Sequence, residues 1–195
     1  MDSLFDLLSS VSNDLESIGA RWALIGGLAV GVRTEPRFTR DVDLAVVASS
    51  DEYADRFIFA LRERGYRIAA VLEQSTNGRL ATVRLLHPAD DRLVDLLFCS
   101  SGIEEAVVQS AGRLEISPGF SAPVAAPGHL IAMKILARDD KDRPQDRLDL
   151  KALLKISDST ELKRAEVALA SIVEAGFHRG RDLKAEFQRA RAELL

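Results

Sequence analysis

With a single cysteine, Cys99, the chain has no intramolecular disulfide framework, and its three histidines, His87, His129 and His178, form neither a His-x-x-x-His pair nor a Cys/His zinc cluster. No window approaches the apolar run needed to span a bilayer. The opening Met1-Asp2-Ser3-Leu4-Phe5-Asp6 lacks the basic and then apolar order of a secretory signal. A reduced, cytoplasmic setting without membrane contact is therefore expected. Only 12 Gly and 6 Pro occur, which excludes collagen-like and low-complexity chains. Basic residues are not in excess, 26 Lys and Arg against 30 Asp and Glu, so no broad electropositive surface for duplex DNA is expected. Aromatic residues reach only 6% and do not cluster, which argues against sequence reading through stacked single strands.

What is present suits a globular protein: 195 residues, 47% apolar and 29% charged, enough to bury a core without staples. Leu4, Leu7, Leu8, Val11, Leu15 and Ile18 follow the helical period up to Gly19. Arg21 to Ile25 is a short apolar strand running into Gly26-Gly27, and a short helix over Leu28 to Arg33 follows. Thr39 to Val47 is strand-like, and Ser50-Asp51-Glu52 caps a helix that closes at Gly65. Leu80 to Leu86 and Leu93 to Phe98 flank a His87-Pro88-Ala89-Asp90-Asp91 turn and form a hairpin. Arg113 to Ile116 and Pro123 to Ala126 are small edge strands that finish the sheet.

From Gly128 onward the pattern is helical, over Leu130 to Ala137, Gln145 to Lys155, Glu161 to Glu174 and Arg181 to Leu194. The expected fold class is α+β, a mixed β-sheet with flanking helices over residues 1–126 followed by a C-terminal helical subdomain over 127–195. Charge divides at the same place. Residues 1–126 carry 12 basic and 18 acidic groups, whereas 127–195 carry 14 and 12, including all six lysines.

Asp41 and Asp43 in Arg40-Asp41-Val42-Asp43-Leu44 are the most informative residues, because alternation along a strand points both carboxylates to one face. Either they are two solvated aspartates at a strand end, or a cation lies between two anions that would otherwise repel, and oxygen-only sites select hard divalent ions such as magnesium. Asp95, within Leu93-Val94-Asp95-Leu96-Leu97-Phe98, is costly to bury alone. It is compensated either by a cation shared with Asp41 and Asp43 or by a nearby arginine such as Arg84 or Arg92. Asp90 and Asp91 are rival third carboxylates, in a turn that favours solvation. Gly26-Gly27 lets backbone approach a ligand closely, and the N–H groups opening the next helix suit phosphate. Neither G-x-G-x-x-G nor G-x-x-x-x-G-K-[ST] occurs.

In order, Ile25-Gly26-Gly27, thirteen residues, Asp41-Val42-Asp43-Leu44 and then Val94-Asp95-Leu96 resemble the signature of the DNA polymerase β-like nucleotidyltransferase superfamily. Arg37-Phe38-Thr39-Arg40-Asp41-Val42-Asp43, Ala132-Met133-Lys134-Ile135-Leu136-Ala137-Arg138 and Asp146-Arg147-Leu148-Asp149-Leu150 further resemble the AbiEii/AbiGii toxin-type nucleotidyltransferases, over Trp22 to about Leu154. Several toxin members have Ser where this chain has Gly27, so contacts there would be through backbone alone.

The resemblance implies transfer of a nucleoside monophosphate from an NTP to a hydroxyl acceptor with two magnesium ions. Asp41 and Asp43 would bridge the ions, and Asp95 would ligate one of them beside the attacking hydroxyl. Lys134 would serve the triphosphate, with Arg138 one turn on, and Asp146, ahead of Asp149, would orient them. Arg37 and Thr39 are further candidates for phosphate contact. Arg143, Arg147, Lys151 and Lys155 recur every four residues, either as a solvated helix face or as a stripe following an RNA backbone. The implied acceptor is RNA such as tRNA, with a cognate antitoxin as a possible protein partner. The alternatives are a small hydroxylated acceptor such as an antibiotic, and a non-catalytic nucleotide-binding module.

Overall fold

The computed structural model describes residues 4–138 and 144–195. Helix α1 (Leu4–Ser17) buries Leu7, Leu8, Val11 and Leu15 on one stripe and ends before Gly19, whose φ of +72° suits glycine. The fully buried strand β1 (Trp22–Ile25) runs directly into α2 (Gly26–Arg33), which begins at the glycine pair itself, two residues before the expected start. After β2 (Val42–Val46), the Ser50 hydroxyl caps α3 (Asp51–Glu63) by accepting from the Tyr53 N–H.

Strands β3 (Arg67–Glu73), β4 (Leu80–Leu86) and β5 (Leu93–Leu97) form an antiparallel meander. Short α4 (Glu104–Gln109) leads to the β6 (Gly112–Ser117) and β7 (Phe120–Val124) hairpin. The chain closes with α5 (Pro127–Ala137), α6 (Pro144–Ile156), α7 (Ser159–Glu174) and α8 (Leu183–Leu194).

Among the described residues seven strands form one mixed sheet in the order β3-β4-β5-β2-β1-β7-β6. β2 is antiparallel to β1 and parallel to β5, and β1 is parallel to β7. This confirms the α+β reading and its helical C-terminal part, with three corrections. β3 and α4 were not expected from the sequence, and β7 lies three residues earlier than expected and pairs on both edges rather than forming a rim. Helix α5 is apolar nearly all round, burying Leu130, Ile131, Ala132, Ile135 and Leu136, and it packs against α2, α6, α7 and α8. One continuous core runs from Leu7 on α1 to Leu194 on α8. Among the described residues no helix is long and apolar enough to cross a membrane.

Candidate active site

Sheet register brings the carboxylates together. Asp43 on β2 lies opposite Ile25 on one side and Asp95 of β5 on the other, and Asp95 in turn lies opposite Arg84 of β4. Directly opposed residues share a face, so Arg84, Asp95 and Asp43 form a row across three strands. Asp41 sits just ahead of β2 and lines the same cleft. Burial, reinforced by the charges of Asp95 and Asp41, pushes the Asp43 carboxyl up to about 6, while Lys134 and the Gly27 N–H pull the other way.

The glycine turn is shaped to this row. Gly26 has a φ of +65°, and a Cβ there would overlap the Asp43 carboxylate. A Cβ on Gly27 would overlap the Arg37 guanidinium and lie 3.0 Å from the Thr39 hydroxyl. Both positions therefore exclude a side chain, for different reasons: the first needs left-handed backbone, the second needs room for Arg37.

Arg37 is held by Asp149, with Nε 2.8 Å from Oδ1 and Nη2 donating to Oδ2 at 2.9 Å, and it also donates to the Phe38 carbonyl. Lys134 Nζ lies 2.7 Å from both Asp146 Oδ1 and Asp149 Oδ2. Arg37, Asp149, Lys134 and Asp146 thus form a chain of alternating charge joining the loop before β2 to α5 and α6. Lys134, Asp146 and Asp149 are all buried, and each charge in the chain has an opposite neighbour. Asp149, ranked below Asp146 on sequence, is the carboxylate that joins both cations.

These elements enclose a cleft of about 640 Å³ lined by Gly26, Gly27, Arg37, Thr39, Asp41, Asp43, Asp95, Lys134 and Asp146, so the structure brings nearly all the sequence candidates to one place. Arg138 is the exception. The helix ends at Ala137, so Arg138 does not continue the face of Lys134; it lies 3.9 Å from Glu193 and lines a separate depression with Arg181 and Arg189. The stripe residue Arg143 lies outside the described residues. Arg147, Lys151 and Lys155 are exposed on α6.

Two arginines were missed as site residues. Arg84, which the sequence offers together with Arg92 as a partner for Asp95, grips both oxygens of that carboxylate, Nε to Oδ1 at 2.8 Å and Nη2 to Oδ2 at 2.6 Å. Its signal was the polar pair Thr82 and Arg84 alternating with buried Val83 and Leu85. Arg179 reaches the cleft from the α7–α8 connection with a φ of +55°, and no periodicity announced it.

Among the described residues no group of three or more His, Cys, Asp or Glu side chains is disposed to hold a metal ion. Asp41 and Asp43 offer oxygen donors to a hard cation. Asp95 has both oxygens committed to Arg84.

A carboxylate pair beside a glycine turn on this mixed sheet defines a nucleotidyltransferase-like protein. More particularly, the family model described as "Nucleotidyl transferase AbiEii toxin, Type IV TA system" matches residues 7–195, and the chain belongs to that family. No curated protein matches it. Similar solved structures include the lincosamide antibiotic adenylyltransferase LnuA with lincomycin bound, 16% identical, covering 77% of this chain and 96% of that one with a TM-score of 0.50. They also include ANT(2")-Ia in complex with adenylyl-2"-tobramycin, at 13% identity, 97% of each chain and a TM-score of 0.48. A putative nucleotidyltransferase from H. pylori is 14% identical, covering 96% of this chain and 93% of that one, with a TM-score of 0.45. At 16% identity the likeness to the lincosamide adenylyltransferase is one of fold alone.

Proposed function

We propose that the chain transfers a nucleoside monophosphate from an NTP to a hydroxyl of an RNA acceptor such as tRNA. The observation that carries the reading is the row of Asp43 and Asp95, with Asp41 beside it, set against a glycine turn over which Arg37 is held. In the transfer, the acceptor oxygen bonds to the α-phosphorus, the bond from that phosphorus to the bridging oxygen breaks, pyrophosphate leaves and the hydroxyl proton is released. Asp41 and Asp43 would hold magnesium, which would supply Lewis-acid stabilisation of the phosphate oxygens in such a displacement. The chain's own residues do the rest. Backbone N–H groups at the start of α2 and the Arg37 guanidinium bind phosphate, Thr39 flanks them, and Asp146 and Asp149 fix Lys134 so that its charge stays beside Asp43.

RNA is favoured by a groove of about 480 Å³ that shares Arg37 and Gln145 with the cleft and continues past Arg33, Lys151 and Lys155. A cognate antitoxin belongs to the same reading. A second reading, a small hydroxylated acceptor, has in its favour the carboxylate-lined cleft and the fold shared with the lincosamide adenylyltransferase.

The test is incubation of the protein with each labelled NTP, magnesium and either total tRNA or a panel of lincosamides and aminoglycosides. Asp41→Ala and Asp43→Ala serve as controls and should stay folded by circular dichroism. Label on tRNA that disappears in both variants is expected. Label on a small molecule instead would transfer the assignment to the second reading, and NTP binding without label to any acceptor would leave a nucleotide-binding module.

A further inference from the structure

The clamp on Asp95 bears on how many metal ions the cleft can hold. Arg84 and Asp95 are direct partners across β4 and β5, so their pairing is set by sheet register and not by a chance encounter of two long side chains. Two parallel charge-assisted hydrogen bonds, at 2.8 and 2.6 Å, use both carboxylate oxygens. Both residues line the cleft, but Asp95 is only 10% exposed at its side chain whereas Arg84 is 41% exposed, so the guanidinium is the more accessible member of the pair. An incoming cation would have to break both bonds and displace a positive charge that Asp41 and Asp43 also attract. Among the described residues no arginine clamps Asp41 or Asp43 in this way.

We propose that Arg84 occupies the electrostatic place of a second metal ion, so that the cleft binds one divalent cation, on Asp41 and Asp43, and Asp95 serves as an anchor for Arg84 instead of as a ligand. This rests on the nucleotidyl-transfer reading and narrows it. The guanidinium uses two of its five N–H groups on Asp95 and keeps the others for an anion, which makes Arg84 a fixed positive charge facing bound phosphate. Unlike an ion, it is present before nucleotide arrives and does not leave with pyrophosphate.

The experiment is equilibrium dialysis of the full chain against manganese and the α,β-methylene analogues of the four ribonucleoside triphosphates, counting bound manganese per bound nucleotide. The wild type should bind one ion per nucleotide. Arg84→Met frees Asp95 and should raise the ratio to two, while Asp95→Asn, which removes the carboxylate that would ligate a second ion beside Asp43, should leave it at one. Circular dichroism establishes that each variant is folded, and the Asp95→Asn arm stands by itself if Arg84→Met does not fold. Two ions in the wild type, a fall in the ratio in Asp95→Asn, or a ratio of one in folded Arg84→Met would each overturn the proposal while leaving nucleotidyl transfer intact. Absence of nucleotide and manganese binding in the wild type would remove the proposal together with the reading beneath it.

Discussion

Gly26 and His129 show how single residues in this chain are fixed by their surroundings. At Gly26 a methyl group would meet left-handed backbone and the Asp43 carboxylate at once, with no flexible neighbour able to yield. Gly26→Ala is expected to cost about 1–3 kcal/mol in urea unfolding and to abolish label transfer. Gly27→Ala should push Arg37 aside and strain its pairing with the buried Asp149, lowering stability in urea unfolding and raising the KM for NTP more than it lowers kcat. His129, in the first turn of α5, is buried, faces Ser110 Oγ at 3.0 Å, and is pushed down to about 4 by desolvation and by Arg164, against a smaller opposing effect of Glu161. Its folded pKa lies below its unfolded one, so the unfolded chain binds more protons and stability is lost as pH falls through the window between about 6.5 and 4. The elevated Asp43 carboxyl acts in the opposite sense, so the informative quantity is a difference curve. Between about pH 7 and pH 5 the wild type should lose about 2 kcal/mol more than His129→Gln, and parallel curves would sink the assignment. At this scale Asp41, Asp43 and the glycine pair were legible, because strand alternation and a two-residue turn are local. Arg84 was legible as one of two arginines offered to Asp95, and sheet register selects it over Arg92; Asp149 on Arg37 was not legible, because that pairing is decided by helix packing between segments distant in sequence.

The elements were read best where a stripe or a cap marks them. Helices α1, α3, α7 and the β4–β5 hairpin lie within a few residues of their expected spans. β3 escaped because Arg-Ile-Ala-Ala-Val-Leu-Glu does not alternate: every residue of this edge strand is exposed, and a register shift between Ile68 and Ala70 breaks its period. Such a bulge also blunts an edge against pairing with another chain. α4 escaped by its shortness, although Ser101 and Glu104 carried a capping signal; the Glu104 carboxylate accepts from the Ser101 N–H at 2.7 Å and hydroxyl at 2.8 Å. Between elements, the decisive joint is Lys134 on α5 with Asp146 and Asp149 on α6. Removing the cation leaves two buried carboxylates facing each other with Arg37 as their remaining neighbour from that chain. Lys134→Met is expected to destabilise the fold by about 3–5 kcal/mol. The double variant Lys134→Met/Asp146→Asn should lose less than the sum of the two single changes, since each removes the same contact. Strict additivity in urea unfolding would mean that the ion pair does not join these helices.

At the scale of the whole molecule, residues 1–126 carry a net charge of −6 and residues 127–195 one of +2, with all six lysines in the second part. The fold uses this division by laying α5 and α6 across the carboxylate end of the sheet, so that Lys134 faces the cleft while Lys151 and Lys155 line the groove beside it. The net charge of −4 hides that groove, which is why composition excluded a broad basic surface and left only a local one open. Leu150, Leu153 and Leu154 bury the opposite side of α6, so the two lysines can change without disturbing the core. If the groove follows an RNA backbone, each lysine neutralises phosphate charge and releases counterions. Lys151→Gln/Lys155→Gln should then weaken tRNA binding and reduce the slope of log K against log salt by roughly 0.7–0.9 per lysine. The same variant should bind NTP as the wild type does, because neither lysine lines the cleft. A small cationic acceptor predicts the reverse sign, since loss of positive charge beside the cleft would strengthen its binding at low salt. The salt slope therefore separates the two acceptor classes even before the transferred nucleotide is known.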